Sequence, residues 1–291
     1  MQYFGKISDI ERKTTDIDLL TIADTEWVLG HWYIKNLLNS RNLQDATAYA
    51  AMAQDTLGHT RAMFEYLEDR FEMTESQLEF GRNSTEVANM DLLDNPPETY
   101  GEFVLTAYLV ELAVWRMMAS LQGNDKEVSS MMSAFGKESY FHRLNMDGWF
   151  AILTDNEKEQ VKAAIPNCLG HALAWFGSEK ASEEDALLKS GVRSQPVFEA
   201  RTQFLTEAKQ KLAEVTSLTA DKIEAMIDHV STGPRNNPRR RANGTNMPAT
   251  LWEYIVPTSD AAKIARRPLS VSTQDTIDLF DKPETVDFDY N

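Results

Sequence analysis

Two short stretches of this chain carry an acid four positions before a histidine. They are residues 50–61 (AAMAQDTLGHTR), with Asp55 before His59, and residues 134–143 (AFGKESYFHR), with Glu138 before His142. A separation of four puts two side chains of an α-helix about 40° apart, on one face. Each pair follows an apolar helical stretch that holds one glutamate, Glu26 in IADTEWVLGHWYIKNLL and Glu111 in FVLTAYLVELAVWRMMASL. The glutamate-to-histidine separations, 33 and 31 residues, nearly match, as in an internal duplication. A four-helix bundle with a metal site in its core uses this order, with a Glu from each of two helices and a Glu-x-x-His from each of the other two. The pattern therefore predicts an all-α chain built on a ferritin-like four-helix bundle.

The pattern departs from that template in one respect. The acid should stand three residues before each histidine, and those positions are Thr56 and Ser139. Four of six expected ligand positions remain: Glu26, His59, Glu111 and His142. Two carboxylates and two imidazoles suffice for a single ion, by preference Fe, Mn or Zn, and are too few to bridge two. Asp55 and Glu138, one residue before the substituted positions, are placed to accept hydrogen bonds from ring N–H groups behind such ligands. The competing reading needs no metal. A glutamate in an apolar helix costs several kcal/mol, on the order of a buried unpaired charge, unless something compensates it. His59 and His142, or an arginine such as Arg116 or Arg143, are the candidates, and a carboxylate–imidazolium network would leave the four groups as a vestigial site.

Helical periodicity runs over residues 16–40, with Ile22, Trp27, Leu29, Ile34, Leu37 and Leu38 on the apolar positions, and over 43–70, 100–122 and 127–153. Residues 71–99, polar and containing Gly81 and Pro96–Pro97, read as the long crossover that a ferritin-like bundle needs between its helix pairs. Further helices follow at 157–176, interrupted at Pro166, at 196–216, and at 218–229, where Ser217 and Thr219 precede Asp221 and Glu224 as capping signals. No stretch alternates apolar and polar residues over a strand's length. Composition changes at residue 231. The segment STGPRNNPRRRANGTN has no core-forming residues and reads as a linker or surface arm, its Arg235, Arg239, Arg240 and Arg241 facing solvent, a partner or a CoA phosphate. A tail with Trp252, Tyr254, Phe280, Phe288 and Tyr290 then lies across the bundle or a partner. The division is a helical domain over 1–230 and a linker with extended tail over 231–291.

The formal net charge of −16 argues against a nucleic-acid partner, since phosphate binding needs a basic surface. One cysteine, Cys168, allows no intrachain disulfide, and the N-terminal stretch lacks the apolar core of a signal peptide, so the expected location is the cytoplasm. The longest apolar run, residues 103–121, is broken by Glu111 and Arg116 and reads as a buried bundle helix, with no membrane partner. His31, five after Glu26, reads as a packing or surface residue, and His171 and His229 have no matched acids in the sequence.

The stretches TEWVLGHW, AMAQDTLGHTRAMFEYLED, YLVELAVWRMM, KESYFHRLNMDGWF and HALAWFG, spread over residues 16–176, resemble the ferritin-like subunits of bacterial phenylacetyl-CoA epoxidase. The resemblance implies membership of a multicomponent ring-epoxidising monooxygenase of phenylacetate breakdown. In such a complex a catalytic di-iron subunit pairs with a homologous scaffold subunit that has lost its ligands, and electrons come from a separate reductase. By that resemblance Glu26, His59, Glu111 and His142 match the retained ligand positions, Asp55 and Glu138 match the acids that precede the ligand glutamates, and Thr56 and Ser139 stand where those glutamates belong. The stretch HRLNMDGWFAIL is closer to the scaffold subunit.

The expectation is a scaffold or catalytically altered partner of a di-iron subunit, assembled with that homologous subunit or with itself, in a complex whose substrate is a CoA thioester. Iron is the expected cofactor where one is bound at all, and the vestigial reading needs none. The alternatives are a metal-dependent iron oxygenase acting on an aromatic CoA thioester or a similar substrate, and a ferritin-like metal-binding protein.

Overall fold

A computed structural model describes residues 14–183, 185–227 and 233–256 of the chain. Helix α1 (Thr14–Asn36) continues into a 3-10 turn (Leu37–Asn39), and α2 (Leu43–Phe71) returns against it. Helices α4 (Tyr100–Ser120) and α5 (Lys126–Ala151) form the second pair. No strand occurs among the described residues.

Helices α2, α4 and α5 each begin where a short polar side chain satisfies free backbone N–H groups of the first turn. Asn42 accepts from the Asp45 amide at the start of α2, Thr99 from Glu102 at the start of α4, and Asp125 from Glu127 and Val128 at the start of α5. Helix α2 stops at Glu72, which adopts a left-handed conformation with φ of 53°.

Apolar side chains at helical spacing fill the space between the four helices, with Trp27, Trp32, Tyr33, Tyr49, Phe64, Leu105, Leu109, Met132 and Trp149 among those withdrawn from water. Helix α4 is the one described helix long and apolar enough to cross a membrane, and most of its apolar window is buried in the bundle core. His31 is a packing residue, its ring edge-on to Trp27 at 5.9 Å.

The crossover is more ordered than its composition suggests. It contains α3 (Glu75–Phe80), opened by a reciprocal Thr74–Gln77 cap, and a 3-10 turn at Asp91–Asp94. Its buried residues 87–93 pack under the bundle, and Arg82 Nη1 ties it to Asp24 of α1 at 2.8 Å.

Helix α6 (Asp155–Trp175) runs unbroken through Pro166, correcting the expected interruption. Proline removes one intrahelical hydrogen bond, and the flanking Ile165, Cys168 and Leu169, all buried, hold the helix in place by packing. Short helices α7 (Glu179–Glu183) and α8 (Ala186–Ser190) lead to α9 (Val197–Thr216), which packs on α4 and α6, and to α10 (Ala220–Met226), capped by Thr219.

The arginine run beyond residue 231 packs on the rest of the chain, with Arg235 and Arg241 buried and Arg239 and Arg240 half-buried. Arg235 Nε donates to Asp91 Oδ2 at 2.9 Å and its backbone N–H to the Ala174 carbonyl at 2.9 Å. Arg239 donates to the Val87 carbonyl, and Arg240 to Asp18 Oδ1 at 2.9 Å and to the carbonyls of Trp175 and Phe176. Arg241, 1% exposed, donates to the Asn89 carbonyl and to Asp94. These guanidinium groups are spent on acceptors of α1, α6 and the crossover, which corrects both the solvent-facing reading and the CoA-phosphate reading.

His171 also has a matched acid, because its Nδ1 meets Asp91 Oδ1 at 2.9 Å. Helix α11 (Ala249–Ile255) closes the described chain, with Trp252 edge-on to Trp27 at 6.1 Å and Tyr254 under the Lys35 ammonium at 4.9 Å. His229, Phe280, Phe288 and Tyr290 lie outside the described residues.

Candidate functional site

The four bundle helices bring all six acids and histidines of the duplicated pattern together. Glu26 of α1 and Glu111 of α4 stand in the core, 2% and 4% exposed. His59 of α2 meets Glu26 Oε1 through Nδ1 at 3.1 Å, and His142 of α5 meets Glu111 Oε1 through Nδ1 at 2.9 Å. The far side of each ring is held by the other half of the duplication. His59 Nε2 lies 2.6 Å from Glu138 Oε2, and His142 Nε2 lies 3.1 Å from Asp55 Oδ2. Each imidazole thus bridges a buried glutamate of its own half and an acid of the opposite half, and the crossed bridges tie α2 to α5.

The outer acids mark where this network reaches water. The Asp55 and Glu138 side chains are 40% and 52% exposed, against 2% for both histidines. The His59 ring also stacks on Phe135, with centroids 4.1 Å apart.

Charge in this arrangement follows from its geometry. Burial pulls both imidazoles toward the neutral form. The Glu26 charge and hydrogen bond, then Glu138, outweigh that for His59, and Glu111 and Asp55 do so for His142, so that both are pushed up to about 9. At neutral pH each ring therefore donates from both nitrogens.

The two buried glutamates differ. Burial raises the pKa of each, but Glu111 accepts from His142 and also from the Tyr33 hydroxyl at 2.9 Å, and it ends below its ordinary value. Glu26 has only His59, its Oε2 is buried without a hydrogen-bond partner, and it ends above its ordinary value. Tyr33 gave no motif in the sequence. The signal available was its place seven residues after Glu26, two turns along the same face of α1.

Neither arginine considered for compensation serves the glutamates directly. Arg116 bonds Gln203 and Glu207, and Arg143 lies over the Trp115 ring at 4.2 Å.

Thr56 and Ser139 spend their hydroxyl protons on their own helices. Thr56 Oγ1 donates to the Met52 carbonyl at 2.7 Å, and Ser139 Oγ to the Phe135 carbonyl at 3.0 Å. The α1–α2 approach is close beside Thr56, where a Cβ on Gly30 would stand 2.9 Å from Thr56 Oγ1 and 2.8 Å from Leu57 Cγ.

A di-iron centre needs two carboxylates to bridge its ions, and this donor set lacks both. The residues present do not fit that group. Among the described residues, no three His, Cys, Asp or Glu side chains gather as a metal-holding cluster.

A family model described as phenylacetic acid catabolic protein matches residues 6–228. No curated protein matches the chain.

Proposed function

The chain belongs to the phenylacetic acid catabolic protein family, and from that premise we propose that it is a scaffold or catalytically altered subunit of a phenylacetyl-CoA epoxidase-like monooxygenase. Its partner is a homologous ferritin-like subunit that keeps the bridging glutamates. The observation that carries this reading is the pair of hydroxyls at Thr56 and Ser139, turned back onto their own helices, inside a constellation otherwise complete to its outer acids. A bundle that no longer bridges two ions still needs Glu26 and Glu111 compensated, and imidazolium groups do this from the positions where ligand histidines would stand. On this reading the network is a vestigial site that holds α2 against α5, and chemistry on the CoA thioester belongs to the partner. The proposed location is cytoplasmic.

A second reading rests on the Glu26 carboxylate. Its Oε2 is buried with no hydrogen-bond partner; a single cation held by Glu26 and His59, with Glu111 and His142 opposite, would have to displace the ring protons and draw together side chains that do not gather as a metal cluster in this arrangement.

Two measurements separate these readings. Co-expression with a glutamate-bearing homologue from the same host, followed by light scattering, is expected to give a stable hetero-assembly, and two species that elute independently refute the scaffold role. Elemental mass spectrometry on protein from iron- and manganese-replete culture is expected to find substoichiometric metal, unchanged in a His59→Ala/His142→Ala variant. About one ion per chain, lost in that variant, would establish the single-ion reading instead.

A further inference from the structure

Asn243 and Gly244 form the exposed corner of a short stretch between two buried anchors, Arg241 at 1% exposed and Met247 at 2%. The Thr245 N–H donates to the Ala242 carbonyl at 3.0 Å and closes a turn over the corner. Gly244 has a φ of 77°, a left-handed conformation that glycine adopts without steric cost, and a Cβ placed on it would meet nothing within 4 Å. The ends of the stretch are held, and its corner projects into water.

Asparagine is among the chemically labile side chains, and a glycine after it removes the steric shield from the next backbone nitrogen. Once deprotonated, that nitrogen is a nucleophile one ring-closure away from the side-chain amide carbon. Here both reactants are available. The Gly244 N–H and the Asn243 Nδ2 donate to no acceptor among the described residues. Asn243 Oδ1 accepts from Asn237 Nδ2 at 3.3 Å, a long bond that polarises the carbonyl to be attacked without fixing the leaving group.

Asn83 in the crossover is also exposed, and it shows the opposite arrangement. Its Oδ1 accepts from the Thr85 N–H at 3.0 Å and from the Thr85 hydroxyl, and its Nδ2 donates to Glu86 Oε2 at 2.7 Å. That amide is held at both ends, and the residue after it is Ser84. Exposure alone therefore does not separate the two asparagines, whereas the bonding of their side chains does.

We infer that Asn243–Gly244 is a site of spontaneous covalent modification, at which the folded chain converts asparagine to aspartate and isoaspartate. Hydroxide takes the Gly244 amide proton, and the nitrogen attacks Asn243 Cγ. The new N–Cγ bond closes a five-membered imide as the Cγ–Nδ2 bond breaks, and Nδ2 leaves as ammonia with a proton from water. Water then opens the imide. Cleavage of the N–Cγ bond gives aspartate, and cleavage of the bond from the Gly244 nitrogen to the Asn243 backbone carbonyl carbon gives isoaspartate. The sum is one water consumed and one ammonia released, with no change of oxidation state. Isoaspartate adds a methylene to the backbone between the Ala242 carbonyl and the Thr245 N–H, so the bond that closes the turn is lost. The inference is independent of the scaffold reading.

The test ages the full chain at mildly alkaline pH and follows it by proteolysis and mass spectrometry. Isoaspartate is counted by methyl transfer from labelled S-adenosylmethionine with an isoaspartyl carboxyl methyltransferase. Most of the Asn243 amide is expected to exchange nitrogen for oxygen while Asn83 stays an amide, with a rate proportional to hydroxide concentration. An Asn243→Ser variant should accept no methyl label, and hydrogen exchange at the Thr245 amide should be faster in the isoaspartate form than in fresh protein. Intact Asn243 in the native chain, over a period in which the urea-unfolded chain converts, would overturn the inference. So would conversion of Asn83 at the same rate, or methyl label that persists in Asn243→Ser. Unchanged exchange at Thr245 would overturn the loss of the turn.

Discussion

Replacing Asp91 by alanine tests whether the arginine-rich segment beyond residue 231 is part of the fold. Asp91 is 8% exposed and accepts from Arg235 Nε at 2.9 Å, from His171 at 2.9 Å and from the Ala242 amide at 3.2 Å. Removing it strands the Arg235 guanidinium, whose side chain is 3% exposed, and breaking a buried pair in this way costs about 3–5 kcal/mol.

The pH dependence of the wild type gives a second measure of the same interaction. Burial pushes Asp91 up, but the His171 hydrogen bond and the Arg235 charge outweigh it and hold the carboxyl at about 2, against an ordinary 3.8. A carboxyl depressed on folding contributes stability that is fully present above 3.8 and is lost as pH falls through 2. The difference corresponds to about 2 kcal/mol. The larger figure for alanine includes the stranded guanidinium, which protonation of Asp91 at low pH also leaves but with its hydrogen bonds partly retained.

Urea unfolding followed by circular dichroism at pH 7 should therefore show Asp91→Ala destabilised by about 3–5 kcal/mol, with Asp91→Asn intermediate. The gap between wild type and Asp91→Asn should narrow between pH 4 and pH 2. A loss below about 1 kcal/mol for alanine, the level of a surface ion pair, would show that the segment does not depend on its buried ion pairs. A wild-type-to-asparagine gap that is constant with pH would refute the linkage argument.

The two imidazoles give the opposite pH sign. Raised from 6.5 to about 9 on folding, His59 and His142 contribute stability that is complete below pH 6.5 and is lost as pH rises through 9, so urea midpoints should fall over that window and the fall should be absent in His59→Gln/His142→Gln. Tyr33→Phe removes one of the two donors to the buried Glu111 and should cost about 1 kcal/mol, with a carbon-detected titration showing the Glu111 carboxyl raised relative to wild type. Thr56→Glu/Ser139→Glu restores both bridging positions of the metal template and should take up iron beyond the wild-type level in elemental analysis; unchanged iron would mean that more than these two side chains separates the chain from a metal centre.

The duplicated order of Glu26, Asp55–His59, Glu111 and Glu138–His142 was enough to place four helices and to name the acids and histidines that meet in the core, because helical spacing and apolar periodicity are local properties. The substitutions at Thr56 and Ser139 were legible for the same reason, since each is read against a histidine three residues away. Sequence could not show that Asp55 would reach His142 and Glu138 would reach His59. That crossing depends on how α2 and α5 lie side by side, and spacing along one helix says nothing about the neighbour's rotation.

Tyr33 was hidden among core aromatics, because only the position of Glu111 distinguishes a hydrogen-bonded phenol from a packed one. The segment after residue 231 was misjudged for a related reason. Its Gly, Pro, Asn and Arg content reads as a chain without a core of its own. Whether such a chain faces water depends on acceptors elsewhere, and Asp18, Asp91 and Asp94, up to more than two hundred residues away in sequence, supply them. The sequence by itself determined the helices, their order and the inventory of charged groups in the core. Only the tertiary structure decided which charge meets which, because pairing in a buried network is set by long-range packing and by the cost of leaving any one member unpaired.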